Sequence, residues 1–426
     1  MSADVTATTA ETDRAHVVIR RRNRRFGGFS LLLAAVMAFG LIPSARGDVA
    51  TFVLNDARGQ LLMLPDLRLP VTATVLLLTG VILAIAVRQF THGFGAKTVV
   101  IVGVVAGLFV LAFLTWAAAD GSMSLVGLLR GTVARATPIA LGALAGVMCE
   151  RAGVINIAIE GQFLAGAFTA ALFASLASNP WVGLLGGIGA GVLIAFMLAG
   201  LSIQFKADQI VVGVVLIVFA TGVTSFLTTQ ILSPIPTLNA PSRFPTIAIP
   251  LLSELPLVGP VLFRQSILVF AMLGAVLWLH YALFDTRWGL RLRSVGEHPK
   301  AADTVGINVL ATRYKAVLIG GILAGIGGAY FTLDAVGSFS KDMSGGRGFI
   351  ALAAMLVGRY RPIAAFGAAL IFGFADSLAT SLQLLRIPVP SNLLLTAPYL
   401  VTIFVVAGLI GRLRPPAADG KPYVKE

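Results

Sequence analysis

The chain has 426 residues, of which 57% are hydrophobic and only 12% charged, and its mean hydropathy is +0.91. Soluble domains carry about 25% charged residues, so this composition excludes a soluble fold and leaves room for roughly a dozen membrane helices of ~20 residues each. The formal net charge of +13 does not point to nucleic acid, because no folded basic domain exists to carry such binding.

Residues 1–25 are polar and end in IRRRNRR, which reads as a disordered basic cytoplasmic tail. The apolar run that follows, FGGFSLLLAAVMAFGLI, starts too late for a secretory signal and is followed by many further spans. It is expected to be a first helix with its N-terminus inside. Residues 48–70 carry Asp48, Asp56 and Asp66 against Arg58 and Arg68, as an outer loop would. Spans are expected at 71–87 and 98–117, with Arg88 and Lys97 marking the inside between them. Residues 26–131 thus read as additional helices placed before a core of 132–411.

The core opens with a span at 132–148, interrupted early by Arg135 and Pro138. Further spans are expected at 155–176, 181–203 and 210–231. Gly183, Gly187 and Gly191 recur every fourth residue on the second of these, the spacing of a helix-packing seam in lipid. Residues 233–260 hold seven prolines and few charges, a stiff outer stretch that fits a docking surface or gate, or a plain linker. A span at 266–284 leads to the longest polar interruption, 285–315.

That interruption carries Arg287, Arg291, Arg293, Lys300, Arg313 and Lys315 against Asp285, Glu297 and Asp303. Such a balance keeps a loop on the cytoplasmic side. Pro299 suits a helix start and Gly306 a helix end, which predicts a short helix over 300–309 that cannot lie in lipid. After a span at 316–336, with Gly321, Gly325 and Gly328 on one face, residues 349–357 are too short to cross and read as a half-helix. Spans at 363–384 and 393–410 close the core, and 412–426 forms a second cytoplasmic tail. The fold class is all-α, a polytopic membrane protein of about 10–12 helices with both ends inside.

Few residues can carry chemistry. Cys149 is the only cysteine, so no intrachain disulfide or cysteine-based metal cluster is possible. The four histidines, His16, His92, His280 and His298, are scattered, and no metal or cofactor is expected. The stretch THGFGAKT at 91–98 lacks the Gly-Lys-Ser/Thr core of a phosphate-binding loop, so any ATP hydrolysis must belong to another chain. Within the apolar spans, Asn156, Glu160 and Gln162 form one polar group, and Asp376, Ser377 and Gln383 a second. An intramembrane carboxylate is costly and marks a functional site by default. Three roles fit Glu160: hydrogen bonding to substrate, pairing with Arg135 or Arg151, or solvation near the cytoplasm. Trp116, Trp181, Trp278 and Trp288 fall near span ends, where tryptophan anchors helices at the interface.

Three stretches, ERAGVINIAIEGQFLAGAF (150–168), GLRLRSVGEHPKAADTVGIN (289–308) and SGGRGFIALAAMLVGRYRPIAAFGAALIFGFAD (344–376), resemble permeases of the ribose and branched-chain amino-acid class of ABC importers. They are most similar to nucleoside and simple-sugar permeases that work with a lipoprotein of the basic-membrane-protein type. The resemblance runs over roughly residues 132–412. It implies that 285–315 is a coupling loop inserted into a groove of a separate ATP-binding subunit, with Gly296, Glu297, Pro299, Ala301, Ala302 and Gly306 at its centre. It further implies a second permease chain as heterodimer partner, an extracytoplasmic lipoprotein that delivers substrate, a bacterial inner-membrane location among membrane lipids, and no enzyme activity in this chain. Asn156, Glu160, Gln162, Asp376 and Gln383 are the expected substrate-pathway residues. Ile217 departs from the family pattern, where many relatives carry Asn. The rival reading is a secondary transporter driven by an ion gradient, in which Glu160 and Asp376 would carry the coupling ion.

Overall fold

A computed structural model describes residues 23–45, 47–56, 63–385 and 414–425. The last expected span, 393–410, the turn before it and most of the N-terminal tail lie outside the described residues. Ten helices among the described residues are long and apolar enough to cross a membrane. The chain divides into two compact units, one taking in 1–55, 63–125 and 381–388, the other 56–62, 126–380 and 389–426.

The first unit holds α1 (Asn23–Ser44), α2 (Val71–Thr91) and α3 (Thr98–Ala117). Ala34, Met37 and Leu41 of α1 meet Val75, Leu78 and Ile82 of α2 and Val105 and Ala112 of α3. The three- and four-residue spacing of these positions puts each set on one stripe of its helix, and the remaining apolar surface is left for lipid. A small sheet, β1 (Val49–Val53), β2 (Leu67–Pro70) and β3 (Ser122–Ser124), joins the helix ends in the order β2-β1-β3.

The second unit runs through α4 (Leu125–Glu150), α5 (Ile159–Ala177), α6 (Pro180–Gln204) and α7 (Gln209–Leu232). The proline-rich stretch that follows is not simply extended. It contains β4 (Thr246–Ala248), which pairs antiparallel with β5 (Arg264–Ser266). It is also fastened to the segment after α11: Asn239 exchanges two hydrogen bonds with the Phe339 backbone, at 2.7 and 2.9 Å. Then come α8 (Ile267–Phe284), α9 (Arg287–Glu297), α10 (Pro299–Thr304), α11 (Val309–Ala335), α12 (Arg347–Val357) and α13 (Pro362–Leu384). Within this unit α4, α11 and α5 are innermost, with 89, 78 and 67% of their apolar windows buried.

Small residues bring these helices together. The glycine stripe of α6 lies against the glycine stripe of α11. A Cβ on Gly191 would come 2.5 Å from the Gly321 carbonyl oxygen, and one on Gly325 would come 2.6 Å from that of Gly187. No larger residue fits there, and in lipid, where no hydrophobic force separates helix from solvent, such close backbone approach is what holds helices together. α12 is the half-helix expected from its length. Its N-cap, Gly346, has φ +77°, a conformation that favours glycine.

Candidate functional site

The polar groups inside the second unit fall into three arrangements. In the first, Glu160 opens α5 and is 6% exposed. Its Oε1 accepts from the Ser344 hydroxyl at 2.6 Å and from the Gly346 N–H at 2.8 Å, and its Oε2 accepts from the Gly348 N–H at 2.6 Å. Those N–H groups are the first donors of half-helix α12, which have no partner within their own helix. A carboxylate facing them also meets the positive end of the helix dipole. Gly348 is needed for this approach, since a Cβ there would sit 2.5 Å from the Glu160 nitrogen. Glu160 therefore ties α5 to α12 through backbone donors. Neither Arg135 nor Arg151 pairs with it.

In the second arrangement, Asn156 lies in the turn before α5, outside the helix that carries Glu160 and Gln162. The Asn156 amide donates to Gln162 Oε1 at 3.3 Å and towards Cys149 Sγ at 3.6 Å, and both residues are fully buried. Asn156 Oδ1 and Gln162 Nε2 have no partner among the described residues.

The third is an ion cluster. Asp376 Oδ2 lies 3.5 Å from Arg135 Nε and 3.2 Å from Arg347 Nη2, and Arg135 Nη2 donates to Thr380 Oγ1 at 3.0 Å. The Arg347 guanidinium also lies 5.9 Å from the centre of the Phe331 ring. These side chains are 24–31% exposed, unlike those of the first two arrangements. Gln383, two turns further along α13, is exposed. Sequence reasoning missed Arg347. Its signal was an arginine in the first turn of a helix too short to cross, which places a charge at membrane depth.

Outside the spans, the polar loop folds into two helices where one was expected. The Thr286 hydroxyl caps α9 by accepting from the Gly289 N–H at 3.1 Å, and Leu292, Val295 and Gly296 form its buried face. Sequence reasoning missed α9, whose signal is the spacing of Trp288, Leu292 and Val295. α10 is shorter than expected, ending at Thr304, with Gly306 at φ +86° turning the chain into α11. Glu297, Ala301 and Gly306 are exposed and Pro299 half-buried. Ala302 points inward, 3% exposed, and packs with Val295, Val309 and Tyr423.

Tyr423 belongs to a C-terminal strap that fastens this helix pair. The Ala418 N–H donates to the Gly296 carbonyl at 2.9 Å, and the Ala417 N–H to Glu297 Oε2 at 3.2 Å. Buried Arg313 donates to the Lys421 carbonyl at 2.8 Å. Burial holds the Asp419 carboxyl up at about 6. Arg151 joins the same region by donating to the Tyr360 carbonyl at 3.0 Å. Burial, and then the neighbouring Arg293, lower the affinity of Arg151 for its proton. Arg151, Arg293 and Arg361 each place a guanidinium within 6 Å of the Phe284 ring, which supplies the attraction that offsets their crowding.

Residues 128–410 match the family model described as "Branched-chain amino acid transport system / permease component". The chain is 42% identical over 306 residues to the guanosine ABC transporter permease protein NupQ of Bacillus subtilis, covering 69% of this chain and 95% of the relative. It is 40% identical over 304 residues to the nucleoside ABC transporter permease protein NupC of Lactococcus lactis, covering 68 and 94%. The putative glucose ABC transporter permease protein TsgC13 of Haloferax volcanii is 33% identical over 327 residues, covering 70 and 98%. No solved structure matches.

Proposed function

Because this chain belongs to the branched-chain amino acid transport system permease family, we propose that it is the membrane-spanning subunit of an ATP-driven importer for nucleosides or related simple sugars. ATP hydrolysis belongs to a separate subunit. The observation that carries the reading is the α9–α10 pair: two helices outside the spans, the first capped by Thr286 and fastened by the strap, the second presenting Ala301 on its exposed side. A rigid surface of this kind can receive a push from an ATP-binding subunit and pass it to α8 and α11, to which it is directly joined. Substrate then moves by alternating access.

Asp376, flanked by Arg135 and Arg347, is the group we assign to substrate contact, because it keeps partial exposure where Glu160 is buried. A carboxylate accepts from sugar hydroxyls and the guanidinium groups donate to ring acceptors, which suits a neutral polyol. Glu160 positions the half-helix, and Asn156 and Gln162 support the turn before α5. An ion-coupled carrier would need an intramembrane carboxylate free to bind its ion; both Glu160 oxygens are already engaged, and Asp376 is paired with Arg135 and Arg347. A second, different permease chain, an extracytoplasmic lipoprotein and a bacterial inner-membrane location complete the proposal, supported by the resemblance of residues 150–168, 289–308 and 344–376.

The test is Ala301→Arg. A large charged residue on the exposed face of α10 should leave the protein inserted and folded but abolish co-purification with the ATP-binding subunit and stop uptake. Normal uptake would remove α10 as the docking element.

A further inference from the structure

Two cavities adjoin where α9 meets the start of α11. The first, of about 420 Å³, carries the charge: Arg291 of α9, Lys315 of α11, Asn308 and Thr312 line it together with Val305 and Ile307. The second, of about 380 Å³, is a groove lined by Trp278 of α8 and by Leu318, Ile319 and Ile322 of α11. Trp288 and Lys315 border both. Leu318, Ile319 and Ile322 follow Lys315 at three, four and seven residues, so they continue on the same face of α11 into its apolar span. No acidic side chain lines either cavity.

We propose that this pair of cavities binds an anionic phospholipid, with its phosphate between Arg291 and Lys315 and an acyl chain along Trp278, Leu318, Ile319 and Ile322. Three physical points carry the choice of ligand. Two cations without a lining acid select an anion, and basic pockets beside membrane helices favour anionic headgroups. The adjoining groove is apolar and starts at the cationic end, so the occupant is amphiphilic. The two tryptophans sit at the junction, where an indole meets the boundary between headgroup and chain. A soluble phosphate would use only the first cavity. A protein partner on the loop would leave the groove, which runs into the span, unfilled. Bound lipid here would brace α9 against α11, since it touches both.

The test uses the full chain carrying only Trp278 and Trp288, with Trp116→Phe and Trp181→Phe, reconstituted in phosphatidylcholine vesicles. Tryptophan fluorescence is read as phosphatidylglycerol or phosphatidylcholine brominated on its acyl chains is added. The proposal expects brominated phosphatidylglycerol to quench at a roughly 25-fold lower mole fraction than brominated phosphatidylcholine. Each Lys or Arg near an anionic headgroup contributes about fivefold in affinity. Arg291→Gln with Lys315→Gln should therefore abolish the preference while quenching by phosphatidylcholine stays the same. Soluble glycerol phosphate should not relieve the quenching. Equal quenching by both lipids in the parent protein would overturn the site, as would a preference that survives the double substitution. Relief by glycerol phosphate would assign the first cavity to a soluble anion and overturn the lipid.

Discussion

Glu160 shows how much a single carboxylate can decide. It receives three donors, two of them backbone N–H groups of the half-helix. Replacing it with Gln turns one oxygen into an N–H donor that must face another donor. A buried donor left without a partner costs about 1–3 kcal/mol. Glu160→Gln is therefore expected to lower the melting temperature of the solubilised protein and to reduce uptake with it. Adding Arg135→Met should not restore stability, because Arg135 pairs with Asp376; rescue by that second change would contradict the arrangement. Asp376→Asn is expected to behave differently. It removes the one charge between two arginines at a partly exposed position, so uptake should fall by an order of magnitude or more while membrane abundance stays close to that of the parent. Equal loss of abundance and uptake would make Asp376 structural. The sequence marked Glu160 and Asp376 as costly charges in apolar spans, but it did not reveal their partners. Ser344 and Gly348 lie far along the chain from Glu160, and no local spacing links them.

At the scale of elements, what was legible followed local pattern. The glycine stripes of α6 and α11 repeat at helical spacing, and α12 is short and preceded by glycines, so both could be read before any fold was known. α9 was hidden because its charged residues dominate the stretch, although Thr286, Leu292 and Val295 mark its cap and buried face. The strap had no signal at all: residues 414–425 show no periodicity, and docking depends on backbone groups meeting Gly296 and Arg313. Two expectations belong here. Truncation after residue 413 removes the strap's hydrogen bonds and the Tyr423 ring from the Val295–Ala302–Val309 cluster. Amide exchange across α9 and α10 should then accelerate by roughly tenfold or more, for a loss of about 1.4 kcal/mol or more of local stability. Unchanged exchange would mean that the strap only rests on the pair. The second concerns pH. Asp419 is held above its ordinary value, at about 6, by burial, with Glu150 and Arg313 as neighbours. A carboxyl whose folded-state value is raised favours the docked state when protonated. Its contribution is complete below the unfolded value near 3.9 and is lost as pH rises through about 6. Exchange in 414–425 should thus be slower at pH 5 than at pH 7.5, after correction for intrinsic rates, and Asp419→Asn should remove the difference.

For the whole molecule, composition decided the class and arrangement decided the mechanism. A chain with this apolar content must satisfy its backbone inside helices, and ten such helices form among the described residues. The working parts then divide by environment. A half-helix held by Glu160 and an ion cluster lie within the spans, and a fastened helix pair lies outside them. Joining the two is the role expected of a permease that converts events on an ATP-binding subunit into movement of substrate. The most direct measurement is uptake of a labelled nucleoside or simple sugar, chosen as one that cells accumulate only when they carry this chain with its transport partners, after an ionophore has collapsed ion gradients while cellular ATP is kept normal. The account predicts that uptake continues and then stops when ATP alone is depleted; uptake that ends with the ion gradients while ATP remains normal would contradict it.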